Sequence, residues 1–195
     1  NFNTFLTIED FEMKKFITAA LVSGALFASS AQAAQDGEYL PYVGMDYTYS
    51  DANAKFERPH YNSGSVNVGT MYNRFFGTEL FYQLSDSHKI RHGLDKAKTS
   101  FQAYGLDIYG YLPFGCYGTF TLLGGLGVGE YTFRKDFSFA KKQRDHGIGW
   151  RASLGAMYNI DEHWGLRFLA RYVNFNQIED LDHMMEYSAG IRYTF

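Results

Sequence analysis

The chain has 195 residues, with 18 Lys and Arg against 21 Asp and Glu, for a formal charge of −3. Near-neutrality argues against a general polyanion or nucleic-acid binder, and the single cysteine, Cys116, excludes an internal disulfide and a thiolate metal cluster. Sixteen Tyr, 18 Phe and 20 Gly beside three Pro favour strands, and no apolar stretch beyond the N-terminal region approaches the ~20 residues of a spanning helix. A soluble β protein and a membrane β-barrel remain.

Residues 1–12 lack Lys and Arg, carry Glu9, Asp10 and Glu12, and read as an upstream extension. Met13-Lys14-Lys15, an apolar run from Phe16 to Phe27 and the small residues Ala31 and Ala33 then form the three parts of a secretory signal, with cleavage expected after Ala33. The run is too short for a membrane anchor. One domain is expected over 34–195.

Eight alternating segments follow, at roughly 38–50, 64–73, 76–86, 99–112, 117–133, 147–159, 164–176 and 184–195. The clearest places Ile148, Trp150, Ala152, Leu154, Ala156 and Tyr158 on one side and Gly149, Arg151, Ser153, Gly155 and Met157 on the other. The segment with Leu122 to Gly129 has small residues on both sides, and its glycines disfavour a helix. Arg74-Phe75, Pro113-Phe114-Gly115 and Asp161-Glu162-His163 lie in tight turns, whereas Asp51–Ser63, Ser87–Lys98, Arg134–His146 and Gln177–His183 are longer polar links. Short and long connections in alternation suit an up-and-down barrel crossing an outer membrane.

A soluble carrier barrel would turn its apolar side inward and its charged side to water. Here the charged side has no Lys in the clearest segments; it carries Gly, Ser, Arg and Glu, which suit a tight lumen. The opposite side carries Tyr47, Tyr72, Tyr158, Trp164, Tyr172 and Tyr193 near segment ends, where an aromatic belt would sit. The apolar side is therefore expected to meet lipid. Asp46, Glu79, Asp107, Arg151, Arg167, Arg171, Glu186 and Arg192 are expected to form a structural polar network in the lumen, because a buried charge requires a partner.

The last segment alternates to the end, with Tyr187, Ala189, Ile191, Tyr193 and Phe195 on one side. Together with the signal, the segment count and the loop rhythm, it resembles the small eight-stranded outer-membrane barrels of the OmpA-like type. That resemblance implies an all-β, antiparallel, up-and-down transmembrane barrel in the outer membrane of a Gram-negative bacterium. It implies outer-membrane lipid and lipopolysaccharide as surroundings, and barrel-assembly machinery that reads the final strand. Two-domain members carry a peptidoglycan-binding domain after the barrel, which this sequence does not present.

The expected role is structural or surface-interacting, with the long loops as contact surface. Lys89, Arg91, Lys141, Lys142 and Arg144 make the loops a candidate contact for phosphates or acidic glycans. The alternatives are a narrow porin-like channel and a lipid-A-modifying enzyme. Eight strands enclose little more than side chains. The deacylase-type barrels use a His-Ser pair on a late strand, and Arg171 to Asn176 offers neither residue. No catalytic residue, cofactor or metal site is expected.

Overall fold

Side chains that alternate every second residue lie on opposite faces of a strand. The computed structural model shows this pairing in residues 39–54, 60–92, 95–115, 119–137, 143–175 and 181–195, the residues it describes. The expected signal at 13–33, the extension at 1–12, Cys116, Lys141 and Lys142 lie outside them. The strands are β1 (Leu40–Ala54), β2 (His60–Asn73), β3 (Phe76–Ser85), β4 (His88–His92), β5 (Asp95–Phe114), β6 (Phe120–Phe137), β7 (Gln143–Asn159), β8 (Trp164–Phe175) and β9 (Leu181–Thr194). Apart from β3 and β4, sequence neighbours pair antiparallel, β1 also pairs with β9, and the sheet closes through β3 and β5. The short β4 continues the line of β3 along β5: Leu84 faces Gln102, and His88 faces Thr99. Eight staves therefore close an antiparallel barrel, which has no unpaired edge for lipid to meet.

At one end the connections are tight. Asn73 Oδ1 accepts from the Phe75 N–H at 2.8 Å, and Gly115 ends β5 at φ +85°, a conformation that suits glycine. Asp161 Oδ1 accepts from the N–H groups of His163 at 2.8 Å and Trp164 at 2.6 Å. At the other end the structure corrects the expected links. β1 runs to Ala54 and β2 starts at His60; β6 runs to Phe137 and β7 starts at Gln143. The ladder continues past the apolar zone because its backbone bonds are indifferent to what the side chains face. The hydrophobic alternation fades there because the outward face leaves the lipid, while inward residues such as Ala52, Tyr61 and Phe133 stay buried.

The outward face is apolar. Leu126 and Leu154 are each 70% exposed and Met45 64%, whereas Arg151 is 2% and Glu186 0% exposed. Two aromatic bands border this face. Tyr49, Tyr104, Trp150, Tyr172 and Tyr187 lie toward the loop end, and Tyr72, Phe76, Phe120, Tyr158 and Trp164 toward the turn end. From Trp164 to Tyr172 the strand covers about 26 Å, or ~20 Å along the axis at a tilt of ~40°. That is somewhat less than the ~25 Å height of a lipid-facing belt, the remainder being taken up by the flanking rings. Of the tyrosines expected in the bands, Tyr47 lies inside the loop-end band and donates its hydroxyl to Asn62 Oδ1 at 2.8 Å, while Tyr193 is partly covered by Trp164 and Phe195.

The interior is layered, with aromatic and aliphatic groups packed beside the small and charged residues expected there. Tyr61, Phe81, Phe101, Tyr131, Phe133 and Phe175 pack together toward the loop end. Tyr109, Tyr111, Leu123, Met157 and Leu169 pack toward the turn end. The charges lie between and beside these layers.

Leu154→Arg, midway between Trp150 and Tyr158, is expected to destabilise the barrel by ~2–4 kcal/mol in bilayers, read from denaturant unfolding in vesicles. A second expectation concerns Asp161. Its two backbone hydrogen bonds hold its carboxyl below the usual carboxylate range. A depressed folded-state value contributes stability above the ordinary pKa of ~4, lost as pH falls through the lower folded value. Asp161→Ala should therefore flatten the pH dependence of the unfolding midpoint below about pH 4.

Candidate functional site

All eight charged residues named for the lumen point inward and are at most 5% exposed. Arg167 is the hub. Its Nη2 donates to Asp46 Oδ2 at 2.5 Å and its Nε to Asp46 Oδ1 at 3.3 Å, a two-pronged grip; its Nη1 donates to Glu79 Oε2 at 2.5 Å. Asn67 Nδ2 donates to Asp46 at 2.8 Å, and the Tyr42 hydroxyl donates to Glu79 at 3.1 Å. Arg171 lies 3.7 Å from Glu186 and 3.9 Å from Asp46. Glu186 also accepts from Gln83 Nε2 at 3.0 Å and Ser50 Oγ at 3.4 Å. Arg151 lies 3.4 Å from Asp107 and 3.5 Å over the Phe81 ring. Its nitrogens lack hydrogen-bond geometry, so this contact is Coulombic and cation–π in character.

Two of these pairs are built by one device. Asp46 on β1 and Arg167 on β8 are both in register with Gly190 on β9. Asp107 on β5 and Arg151 on β7 are both in register with Gly127 on β6. In each row the acid and the arginine meet across a strand that presents only hydrogen between them. A Cβ at Gly190 would collide with Asp46 Oδ1, and one at Gly127 with Asp107 Oδ1. Nothing in composition or alternation marks these glycines; only the register does.

Arg192 stands apart. It lies 4.5 Å over Tyr42 and 5.6 Å from Tyr111, and its Nη2 meets the Met71 sulfur at 3.4 Å. Ser153 and Ser188 are buried inward, whereas among the described residues His60, His146 and His163 are exposed and His183 is only partly covered. No group of three or more His, Cys, Asp or Glu suited to a metal occurs among the described residues.

At the loop end the register assembles what the sequence left scattered. Lys89 faces Lys98 and Arg91 faces Lys96 across β4 and β5, and Arg134 faces Arg144 across β6 and β7. The register thus sets Lys96, Lys98 and Arg134 opposite other cations of the same polar links. In β9, Tyr187, Ala189 and Ile191 face outward, and Tyr193 packs on Trp164 and Phe195.

Residues 18–195 match a family described as the outer membrane protein beta-barrel domain. No curated protein matches the chain significantly. Among solved structures the chain is similar to Neisserial surface protein A, with 18% identity, 80% of this chain and 97% of that chain covered, and a TM-score of 0.64. It is similar to Ail, the attachment invasion locus protein of Yersinia pestis, solved in complex with the heparin analogue sucrose octasulfate; identity is 13%, coverage 81% and 99%, and the TM-score 0.60. It is also similar to the outer membrane protein OprG from Pseudomonas aeruginosa, at 17% identity, 81% and 96% coverage and a TM-score of 0.55. At these identities the likeness is one of fold.

Gly190→Ala should destabilise the barrel by roughly 1–3 kcal/mol through overpacking, and Arg167→Ala by about 3–5 kcal/mol by stranding two buried carboxylates. Gly124→Ala, at an outward glycine with open space around it, should be near neutral. Unfolding of the three variants in one lipid system checks the ranking.

Proposed function

The chain belongs to the outer membrane protein beta-barrel domain family, and from that premise we propose a plugged, non-enzymatic barrel of a Gram-negative outer membrane that displays its loop-end hairpins to polyanions. The observation that carries this reading is the register of like cations: Lys89 with Lys98, Arg91 with Lys96 and Arg134 with Arg144. Like charges directly opposed across strands destabilise a ladder, and a bridging anion reverses the sign of that interaction. The near-neutral total charge is compatible with this, because the cations pair locally; Lys98 also faces Asp136 across β5 and β6. Ail, which shares the fold, has been solved with a sulfated heparin analogue bound. Lys141 and Lys142 extend the same basic segment in sequence.

The other parts of the reading follow the same architecture. The apolar outward face suits outer-membrane lipid, with the loop-end band near lipopolysaccharide. Residues 13–33 serve as the export signal, and Tyr187, Ala189, Ile191, Tyr193 and Phe195 as the strand read by the assembly machinery. A porin-like channel is disfavoured by Arg167, which spans to acids on β1 and β3, and by the aromatic layers toward each end. A lipid-A-modifying enzyme is disfavoured because, among the described residues, no histidine is buried with the inward Ser153 and Ser188.

The barrel in planar bilayers should show no steady conductance. In vesicles it should bind a sulfated glycan with strong salt dependence. Replacing Lys89, Arg91, Lys96 and Lys98 together by Ser should weaken that binding at least about tenfold and flatten its salt dependence. Unchanged binding in the fourfold variant would reject the polyanion reading.

A further inference from the structure

The short-turn end of the barrel opens into a cavity of about 1250 Å³. Asn73, Arg74 and Glu162 are exposed around its mouth, while Thr121, Met157 and Arg192 line it from buried positions. Arg192 is 5% exposed, yet it differs from every other arginine of the lumen. The carboxylates of Asp46, Glu79, Asp107 and Glu186 are all engaged by Arg151, Arg167 or Arg171. Among the described residues no carboxylate pairs with Arg192.

A guanidinium carries five donors in a planar fork. Here Nη1 has no hydrogen-bond partner, and Nη2 has only the Met71 thioether, a weak acceptor. The rings of Tyr42 and Tyr111 supply cation–π attraction, but they accept none of the in-plane donors. A buried cation in this condition lacks an oxyanion, the group its fork matches best. Of the two acids in the nearby turn, Asp161 spends an oxygen on the backbone of its own turn, and Glu162 is exposed at the mouth.

We propose that this vestibule is an oxyanion-binding site in which Arg192 receives the carboxylate or phosphate group of a small solute entering from the short-turn side, the periplasmic side in barrels of this construction. The floor is neutral apart from Arg192, so the bound charge is compensated once. At the mouth, Asp161 and Glu162 against Arg74 leave one negative charge in excess, which disfavours solutes of high negative charge. The site lies at the opposite end from the basic hairpins and does not depend on their role.

The test uses the full refolded chain in detergent micelles, with 13C-methyl methionine as the reporter. Met71 touches Arg192 and Met157 lines the cavity, whereas Met184, buried in the loop-end layer, is the internal control. Inorganic phosphate and succinate are titrated separately against chloride at matched ionic strength. The expected result is a saturable shift of Met71 and Met157, but not Met184, with at least one of the two anions. The tighter of the two identifies phosphoryl or carboxylate as the preferred group. Arg192→Gln should raise Kd at least tenfold, and so should Thr194→Glu, which places a carboxylate beside Arg192 on the same side of β9. Heat-modifiable migration verifies folding of each variant, so failure of one leaves the other decisive. Absence of saturable shifts with both anions, or undiminished affinity in a folded variant, overturns the site. Glycan binding at the loop end should be unchanged in both variants, so the two readings fail separately.

Discussion

The structure depends on an exchange of environments: the bilayer takes the side chains that water would reject, and the lumen must hold the charges that the bilayer would reject. Once Leu126, Leu154 and Phe168 face outward, period-two alternation forces Arg151 and Arg167 inward. Charges confined to a narrow, low-dielectric interior are tolerable only when compensated. Arg167 therefore joins β8 to β1 and β3, and Arg151 joins β7 to β5. These contacts run across the barrel rather than along its ladders. They tie together strands that share no backbone hydrogen bonds.

The glycine-centred rows show how such cross-ties are accommodated. Neighbouring strands are about 4.8 Å apart, so an acid and an arginine separated by one intervening strand must reach over it. Gly190 and Gly127 leave that path open. The glycine content of β6, which blurs its alternation in the sequence, is thus a feature of the ion-pair geometry as well as of strand flexibility.

The eight-stave architecture was legible because the lipid and lumen faces differ so sharply in chemistry. The strand ends were not: beyond Tyr49 and Tyr104 polar residues interrupt the period-two pattern, and 51–54 or 95–98 look like loop although their backbones remain paired. The inward aromatics were also obscured. Phe81, Tyr109 and Tyr131 sit on the side of Gly, Arg and Glu, where each reads as an interruption, and only packing reveals them as layers. The partners of the charges were beyond sequence reading altogether. Asp46 and Arg167 are separated by 121 positions, and their meeting is decided by closure of β1 on β9. The isolation of Arg192 is legible only after every other charge has been paired.

The length of β5 has a mechanical consequence. Its 20 residues carry it from the turn end, through the band at Tyr104, to Asp95, so that about 30 Å of strand, or roughly 23 Å of height, stands beyond the band at ordinary rise and tilt. β4 and β6 brace this projection by backbone bonding. It is a mast rather than a tether. A ligand caught near its tip orders few additional backbone torsions, and so meets a smaller entropic penalty than it would on an unpaired loop of equal reach.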